Sequence, residues 1–213
     1  MDSTRVVFVL CFFLLCADPT YGQDGAHTAQ TYDSLVTRLH AGHTDIDYRA
    51  LRLGYTETEQ FNPYNLDQRQ QRNRMFAAYQ EQDFERAQQI ADSLLTPNYT
   101  NMDAHLVALF LAEINEDSTL AAFHADVLVG LVRSVEGDAN GERPDSPYVV
   151  ISTEEEYAYF RAVGLEFLSQ ALIECGDRPC DMMEVQDPET QERFHLYFDI
   201  TIPTNYPSGT FKR

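Results

Sequence analysis

The feature that most constrains the fold of this chain is a helical unit that recurs after 34 residues. Its two best copies are EQDFERAQQIADSLL at 81–95 and NEDSTLAAFHADVLV at 115–129. Each copy has an acidic turn followed by apolar residues at helical spacing. When the two copies are aligned at a shift of 34 residues, residues of the same type coincide. Asp83 aligns with Asp117, Ala87 with Ala121, Ala91 with Ala125 and Leu94 with Leu128. This recurrence predicts pairs of helices that pack side by side.

Apolar spacing predicts about three such pairs. The expected helices are 31–39 with 45–55, 66–79 with 83–95, and 103–114 with 118–135. Asp47, Tyr48 and Leu51 look like an earlier copy of the unit, shifted by 36 residues. The period resembles that of tetratricopeptide-like helical hairpins, although the chain has no Trp and lacks the full consensus. A helical bundle whose spacing is coincidental is the alternative.

After residue 136 the pattern changes to one that favours strands. A linker rich in Gly and Pro, 137–147, precedes a short helix at 153–163 that Ser152 or Thr153 is placed to cap. Strands are predicted at 165–173, 181–186 and 193–202, the last alternating as RFHLYFDITI. The predicted fold class is therefore α+β and mainly α, with a small antiparallel β-meander. In this division 23–136 is the helical-repeat region, 148–203 is the β-rich C-terminal part of the same domain, and 204–213 is a tail.

The N-terminal residues predict export. VVFVLCFFLLC at 6–16 is too short to span a bilayer but suits the hydrophobic region of a signal peptide, assigned to 1–22. Its removal leaves no transmembrane segment and only two cysteines, Cys175 and Cys180, in CGDRPC. For an exported chain this spacing favours a disulfide across a turn, with a metal site as the alternative. We expect a periplasmic or cell-envelope location.

Charge excludes some partners. The formal net charge is −19, which disfavours nucleic acids and anionic membrane surfaces because both need clustered Lys and Arg. It permits cationic partners or divalent metal ions, and it is also compatible with a simple acidic, solubilising surface.

One set of aromatic and cationic residues predicts a binding pocket. Its members are Tyr48, Arg52, Tyr55, Phe61 and Tyr64. Aromatic rings beside a fixed cation are suited to a carboxylate, a sugar or a peptide. The same aromatics could instead belong to the core, with Arg52 paired to an acidic residue.

Metal and catalytic signals are weaker. His40, His43, Asp45 and Asp47 form the densest set of metal-capable side chains, but a polar turn with a capping Asp also explains them. Oxygen-bearing side chains recur in the loop 138–145, a calcium-like pattern that lacks the glycine and glutamate positions of a calcium loop: Asp138, Asn140, Glu142 and Asp145. No nucleophile elbow, P-loop or dinucleotide fingerprint is present. The sequence therefore predicts no cofactor and no catalytic residue.

Four segments together resemble a known family. They are DYRALRLGY with FNPY behind it, QEQDFERAQQIADSLL, the GD…SPYVVISTEEEYAYFRAVGL stretch, and LYFDITIP. They are similar to an uncharacterised bacterial exported family, domain of unknown function 4919, over roughly residues 32–203. The resemblance implies an exported, periplasmic protein of helical-repeat character with a β-rich end. It carries no known activity or site residues.

These observations lead to one functional hypothesis and two alternatives. The first is a non-catalytic exported protein that binds a peptide or protein partner through its helical face, because helical repeats present extended grooves. The alternatives are an envelope hydrolase with dispersed carboxylates and a purely structural envelope component. A deep pocket holding two carboxylates of raised pKa would favour the hydrolase.

Overall fold

The structure is a computed structural model that describes residues 31–207. The predicted signal peptide at 1–22 lies outside the described residues, as do residues 208–213 of the predicted tail. Thr201–Thr204 forms a short helix, and the Tyr206 hydroxyl donates to the carbonyl of Phe61. The chain is therefore tied to the domain as far as Tyr206.

Six helices occupy the first part of the described chain, close to their predicted positions. They are α1 Tyr32–His40, α2 Tyr48–Tyr55, α3 Leu66–Gln80, α4 Phe84–Leu95, α5 Met102–Ile114 and α6 Ser118–Glu136. The repeat marks where the second helix of each pair begins. Asp47, Asp83 and Asp117 each cap that helix, with a carboxylate oxygen that accepts a backbone N–H three residues further on.

The tight turn inside the pair also recurs. The Asp83 N–H donates to the carbonyl of Ala78, and the Asp117 N–H donates to the carbonyl of Ala112. In both turns the residue before the Asp has a positive φ. The same turn conformation therefore occurs twice, 34 residues apart.

The helix pairs do not stack in chain order, so the tetratricopeptide-like description is not confirmed. The α3–α4 pair packs beside α5–α6, but α2 packs against α6 at the far side of that layer. The ring of Tyr48 lies directly on Gly130, where any side chain would collide with it. Ala87 and Ala91 are fully buried, whereas Ala121 and Ala125 are only half-buried. The helical unit therefore recurs in the sequence, but its copies do not stack into a regular array.

The C-terminal part contains a four-stranded mixed sheet. Its strands are β1 Tyr148–Val149, β2 Glu166–Cys175, β3 Arg178–Gln186 and β4 Arg193–Asp199, in the order β1-β4-β3-β2. The meander β2-β3-β4 is antiparallel, as predicted, and β1 adds a parallel pairing to β4. The predicted disulfide between Cys175 and Cys180 joins β2 to β3.

One helix, α7 (Thr153–Val163), connects the two parts of the domain. It packs on α5 and α6 at one side and on the sheet at the other. Its Phe160 meets Phe198 of β4 edge to face, with 5.5 Å between ring centroids. One side of α7 therefore contacts helices and the other side contacts the sheet. The described chain is α+β and mainly α, as the sequence predicted.

The longest helix, α6, has the length and hydropathy of a bilayer-spanning segment. In this fold it packs against α5 and α2, and Val127, Leu131 and Val135 are buried. Core helices of folded domains share this composition. The absence of a transmembrane segment after signal removal stays a prediction.

Candidate functional site

Arg52, the cation of the predicted pocket, is buried in an ion pair. Its side chain is only 1% exposed and its guanidinium donates to both carboxylate oxygens of Glu155, at 2.8 Å each. It also donates to the backbone carbonyls of Ser134 and Val149, at 2.7 Å each. These bonds engage the guanidinium on all sides, so Arg52 links α2 to α6 and α7 and is not free to hold a ligand.

The four aromatic members of that set do not share one site. Tyr48 packs on Gly130 and donates its hydroxyl to the carbonyl of Thr44, and Tyr64 is exposed and donates to Pro203. Tyr55 and Phe61 lie together, and both line a cleft of about 80 Å³. This amide cleft, as we call it, is also lined by Asn62, Asn65, Arg69, Arg72, Asn98, Asn101, Asp103, Glu154 and Glu155. Two of the five predicted residues thus reach a cleft whose cations are Arg69 and Arg72.

The four weak metal candidates do not converge. Asp45 accepts from Arg38 at 3.0 Å, and Asp47 caps α2. His40 lies edge-on to Tyr99, and His43 is exposed. Within residues 31–207, no group of three or more His, Cys, Asp or Glu side chains is arranged to hold a metal ion.

The acidic loop 138–145 forms a compact turn. Gly141 lies against the ring of Tyr148, the side chain of Asn140 accepts from the Glu142 N–H, and Arg143 pairs with Asp145 at 3.2 Å. One of the four oxygen-bearing side chains is therefore paired with a cation and another with the backbone.

A wide groove opens on the helical part between α1, α4 and α6. It has a volume of about 930 Å³, which is within the range of ligand-binding sites. We call it the helical groove. Its apolar lining includes Leu39, Leu95, Tyr99, Leu120 and Phe123. The groove exists because α1–α2 folds back onto α6, which places the end of α1 opposite α4.

Carboxylates surround this apolar lining. Asp92 and Asp126 are exposed, and Asp117 is at the start of α6. Asp126 accepts from Thr44 at 3.2 Å, and Asp117 caps its helix. No Lys or Arg is among the described residues that line the groove. The groove therefore combines apolar surface with uncompensated negative charge.

A pair of buried histidines lies at the wall of the groove. Nδ1 of His105 and Nδ1 of His124 are 3.0 Å apart, and Nε2 of His105 is 3.0 Å from the carbonyl of Tyr99. A carbonyl only accepts, so Nε2 of His105 carries the proton and its Nδ1 accepts from Nδ1 of His124. The neutral His124 ring, which is only 7% exposed and lines the groove, therefore keeps a free lone pair on Nε2.

Burial keeps both rings neutral. It lowers the pKa of His105 to about 3, and it also lowers the pKa of His124, against which Asp92 acts in the opposite direction. Because His124 stays neutral, its Nε2 presents a hydrogen-bond acceptor at ordinary pH. Acceptors and carboxylates in one groove favour a ligand rich in donors and positive charge.

Two other carboxyl groups form a buried pair between α7 and the sheet. Glu156 is fully buried, and Asp181 of β3 is 3% exposed. Burial first, and then the nearby Asp181, raise the pKa of Glu156 to about 9. Neither residue lines the helical groove or the amide cleft. Glu156 has the raised pKa of a catalytic acid, but it reaches neither opening.

Sequence patterns did not identify Asp92, Phe123 or His124 as site residues, and His40, which also lines the helical groove, was considered only as a weak metal ligand. Asp92 and Phe123 resemble ordinary helix-surface residues when they are considered singly. His124 carried a signal, because it is a polar ring inside the apolar pattern AAFHADVLV of the second repeat copy. Its partner His105 lies 19 residues away, on α5.

Comparison with known proteins identifies a family. The sequence-family model for DUF4919, a domain of unknown function, matches residues 24–207. This match covers most of the 213 residues, and the chain belongs to that family, as the resemblance indicated. Comparison with curated proteins and comparison with solved structures each gave no match.

Proposed function

We propose that this member of the DUF4919 family is an exported, non-catalytic protein that binds a cationic peptide segment of a partner in the helical groove. The observation that carries the proposal is the groove itself, a large opening with an apolar lining and three aspartates but no lining Lys or Arg. Lys and Arg side chains suit such a surface because their stems pack on apolar groups while their charges meet the carboxylates.

The acceptor on His124 supports the same ligand chemistry independently of the carboxylates. Its Nε2 lone pair is fixed by the tautomer of the His105 pair, and nothing among the described residues donates to it. A Lys ammonium, an Arg guanidinium or a peptide N–H can all donate to this atom. The ligand class is therefore favoured by charge and by hydrogen bonding together.

Export is supported by the disulfide between Cys175 and Cys180, because disulfides persist in oxidising compartments. A periplasmic or envelope location is the corresponding proposal. The hydrolase alternative needs carboxylates that reach a substrate, and Glu156 with Asp181 is closed off from both openings. No observation specifically favours a purely structural role.

The direct test is binding of two short peptides by the purified protein, measured by calorimetry. One peptide alternates Lys and Leu, and the other replaces each Lys by Glu. We expect the Lys peptide to bind and the Glu peptide not to bind. We also expect affinity to fall as salt is raised, because exposed charge pairs are screened. Equal binding of both peptides, or of neither, contradicts the proposal.

Charge-neutralising variants locate the site. Asp92→Asn and Asp126→Asn remove one groove carboxylate each, and we expect each to weaken binding by about three- to tenfold. Asp145→Asn is the matched control, because it removes the same charge from an exposed side chain outside the groove. If Asp145→Asn weakens binding as much as the groove variants do, net charge and not the groove is responsible.

A further inference from the structure

The amide cleft differs from the rest of the surface in its charge. All three carboxylates that line it are paired: Glu155 with Arg52, Asp103 with Arg161, and Glu154 with both Arg69 and Arg72. Arg52 and Arg161 lie outside the lining and each neutralises one carboxylate, so the two lining guanidinium groups share Glu154 alone. In a chain of formal charge −19, the mouth of this cleft therefore has one guanidinium more than it has unpaired carboxylates.

Four asparagines in the cleft are held in one orientation by the backbone. In each of them Oδ1 accepts from a backbone N–H at 3.0 to 3.1 Å: Asn62 from Tyr64, Asn65 from Asp67 and Gln68, Asn98 from Thr100, and Asn101 from Ala104. Only the amide oxygen can accept, so these bonds fix which side of each amide carries the nitrogen.

This orientation leaves four side-chain amide nitrogens as unused donors. No Nδ2 of Asn62, Asn65, Asn98 or Asn101 has a hydrogen-bond acceptor among residues 31–207. Arg69 and Arg72, whose guanidinium groups also only donate, line the cleft beside the asparagines, together with Gln68, Thr100 and Ser152. A cleft furnished with donors and surplus positive charge selects a ligand that supplies acceptors and negative charge.

Glu154 indicates which anion is suitable. Its carboxylate pairs with Arg72, and its Oε1 is 3.4 Å from Nε of Arg69, while its side chain is 34% exposed. Glu154 is at the first turn of α7 and is held by no other hydrogen bond among the described residues. The chain thus places one of its own carboxylates between two arginines, where a ligand carboxylate can take its place.

We propose that the amide cleft binds a small organic carboxylate, with Arg69 and Arg72 as its cationic contacts, the asparagine amides as donors, and Glu154 as the internal group that the ligand displaces. Tyr55, Phe61 and Ile151 form the apolar wall against which a short side chain packs. The site is separate from the helical groove and does not depend on peptide binding there.

The test uses N-acetylalanine as the probe and N-acetylalaninamide as its neutral counterpart, titrated into the purified protein and followed by calorimetry or by NMR shifts. We expect the acid to bind in the range of about 1 mM or below, and the amide not to bind. Equal binding of the two, or no binding of the acid up to about 20 mM, overturns the proposal.

Two substitutions of opposite expected sign locate the site. Glu154→Gln removes the competing carboxylate, and we expect tighter binding, by about threefold or more. Arg69→Gln removes a cation whose side chain is 58% exposed, so folding is preserved, and we expect binding to weaken by about tenfold. Arg143→Gln, in an exposed pair outside the cleft, is the matched control and leaves affinity unchanged. The proposal is wrong if Glu154→Gln weakens binding or if Arg69→Gln behaves like Arg143→Gln.

Inorganic phosphate distinguishes an organic carboxylate from a simple oxyanion. We expect phosphate to bind more weakly than N-acetylalanine, because it cannot use the apolar wall. If phosphate binds more tightly and depends equally on Arg69, the assignment to an organic carboxylate is overturned.

Discussion

Glu155 and Glu156 are consecutive residues of α7, and both are buried, but their surroundings treat a negative charge in opposite ways. Glu155 meets the guanidinium of Arg52 through two hydrogen bonds and also accepts the Ile151 N–H at 2.8 Å. Glu156 faces the sheet, where Asp181 is the neighbouring charge that raises its pKa most, and no donor among the described residues hydrogen-bonds to either of its oxygens. Glu154, the residue before them, reaches solvent and two arginines.

The difference follows from helix geometry. Successive residues of an α-helix point about 100° apart, so three consecutive glutamates of α7 reach three environments. A buried carboxylate is tolerated when donors and an opposite charge surround it, and otherwise it takes up a proton. The type of residue is the same at the three positions, so their different surroundings come from tertiary contacts.

Arg52→Met is expected to have the largest effect, because it leaves the buried carboxylate of Glu155 without its counter-ion. We expect a loss of about 3–5 kcal/mol in the free energy of unfolding, measured by urea denaturation. The double variant Arg52→Met/Glu155→Leu removes both charges and should recover most of the loss. A single-variant loss below about 1 kcal/mol would show that the pair is not a buried, mutually dependent unit.

Glu156→Gln should change how stability depends on pH. The ordinary pKa of Glu is 4.5 and the folded-state pKa is about 9. Between these values the folded state holds a proton that the unfolded state has lost, so this group's stabilisation falls as pH rises. The slope is at most about 1.4 kcal/mol per pH unit.

The variant lacks this slope, so its free energy of unfolding relative to the original protein should increase from about pH 5 to about pH 8. The comparison is made by urea denaturation at each pH. His105 and His124 titrate in both proteins, so their contribution cancels in the difference. A difference that stays constant with pH would mean that Glu156 is ionised in the folded state.

Asp181→Asn should have a smaller effect on the same pair. It removes the charge that is the second cause of the raised pKa of Glu156, but not the burial that is the first. We expect the pKa of Glu156 to fall while staying above 4.5, as followed by carboxyl carbon NMR with Glu156→Gln to assign the signal. A pKa that returns fully to its ordinary value would make the Asp181 charge, and not burial, the dominant cause.

Glu154→Gln should have the smallest effect on stability. Its pairs with Arg69 and Arg72 are partly exposed, and such pairs contribute about 1 kcal/mol or less. We expect a change in the free energy of unfolding within that range, by the same denaturation measurement. A larger loss would place Glu154 with Glu155 as part of the buried framework.

Local sequence patterns predicted the elements well. The capping aspartates at 47, 83 and 117 and the apolar spacing after them located the helices, because both signals act within a few residues. Strand alternation in RFHLYFDITI correctly placed Leu196 and Phe198 in the core. The strand ends at Asp199, three residues before the predicted end, because the next residues form a short helix.

Long-range placement could not be predicted in the same way. Arg52 and Glu155 are 103 residues apart, and nothing local distinguishes Glu155 from its two neighbours as the partner. The aromatic residues of the predicted pocket also lie apart because of long-range contacts. Tyr48, for example, packs against Gly130. The helical groove depends on α1–α2 folding onto α6, a choice of partner that helical periodicity does not encode.

That fold-back affects the order in which the molecule can be completed. The N-terminal helix pair is made first but packs on α6 and α7, through contacts such as Thr44 with Asp126, 82 residues later, and Arg52 with Glu155, 103 residues later. Contacts between distant segments form late because the intervening chain must first be ordered. We therefore expect the groove to be among the last features to assemble and to be missing from partially made chains. Ligand binding in the helical groove would then indicate that the helical layer has folded completely.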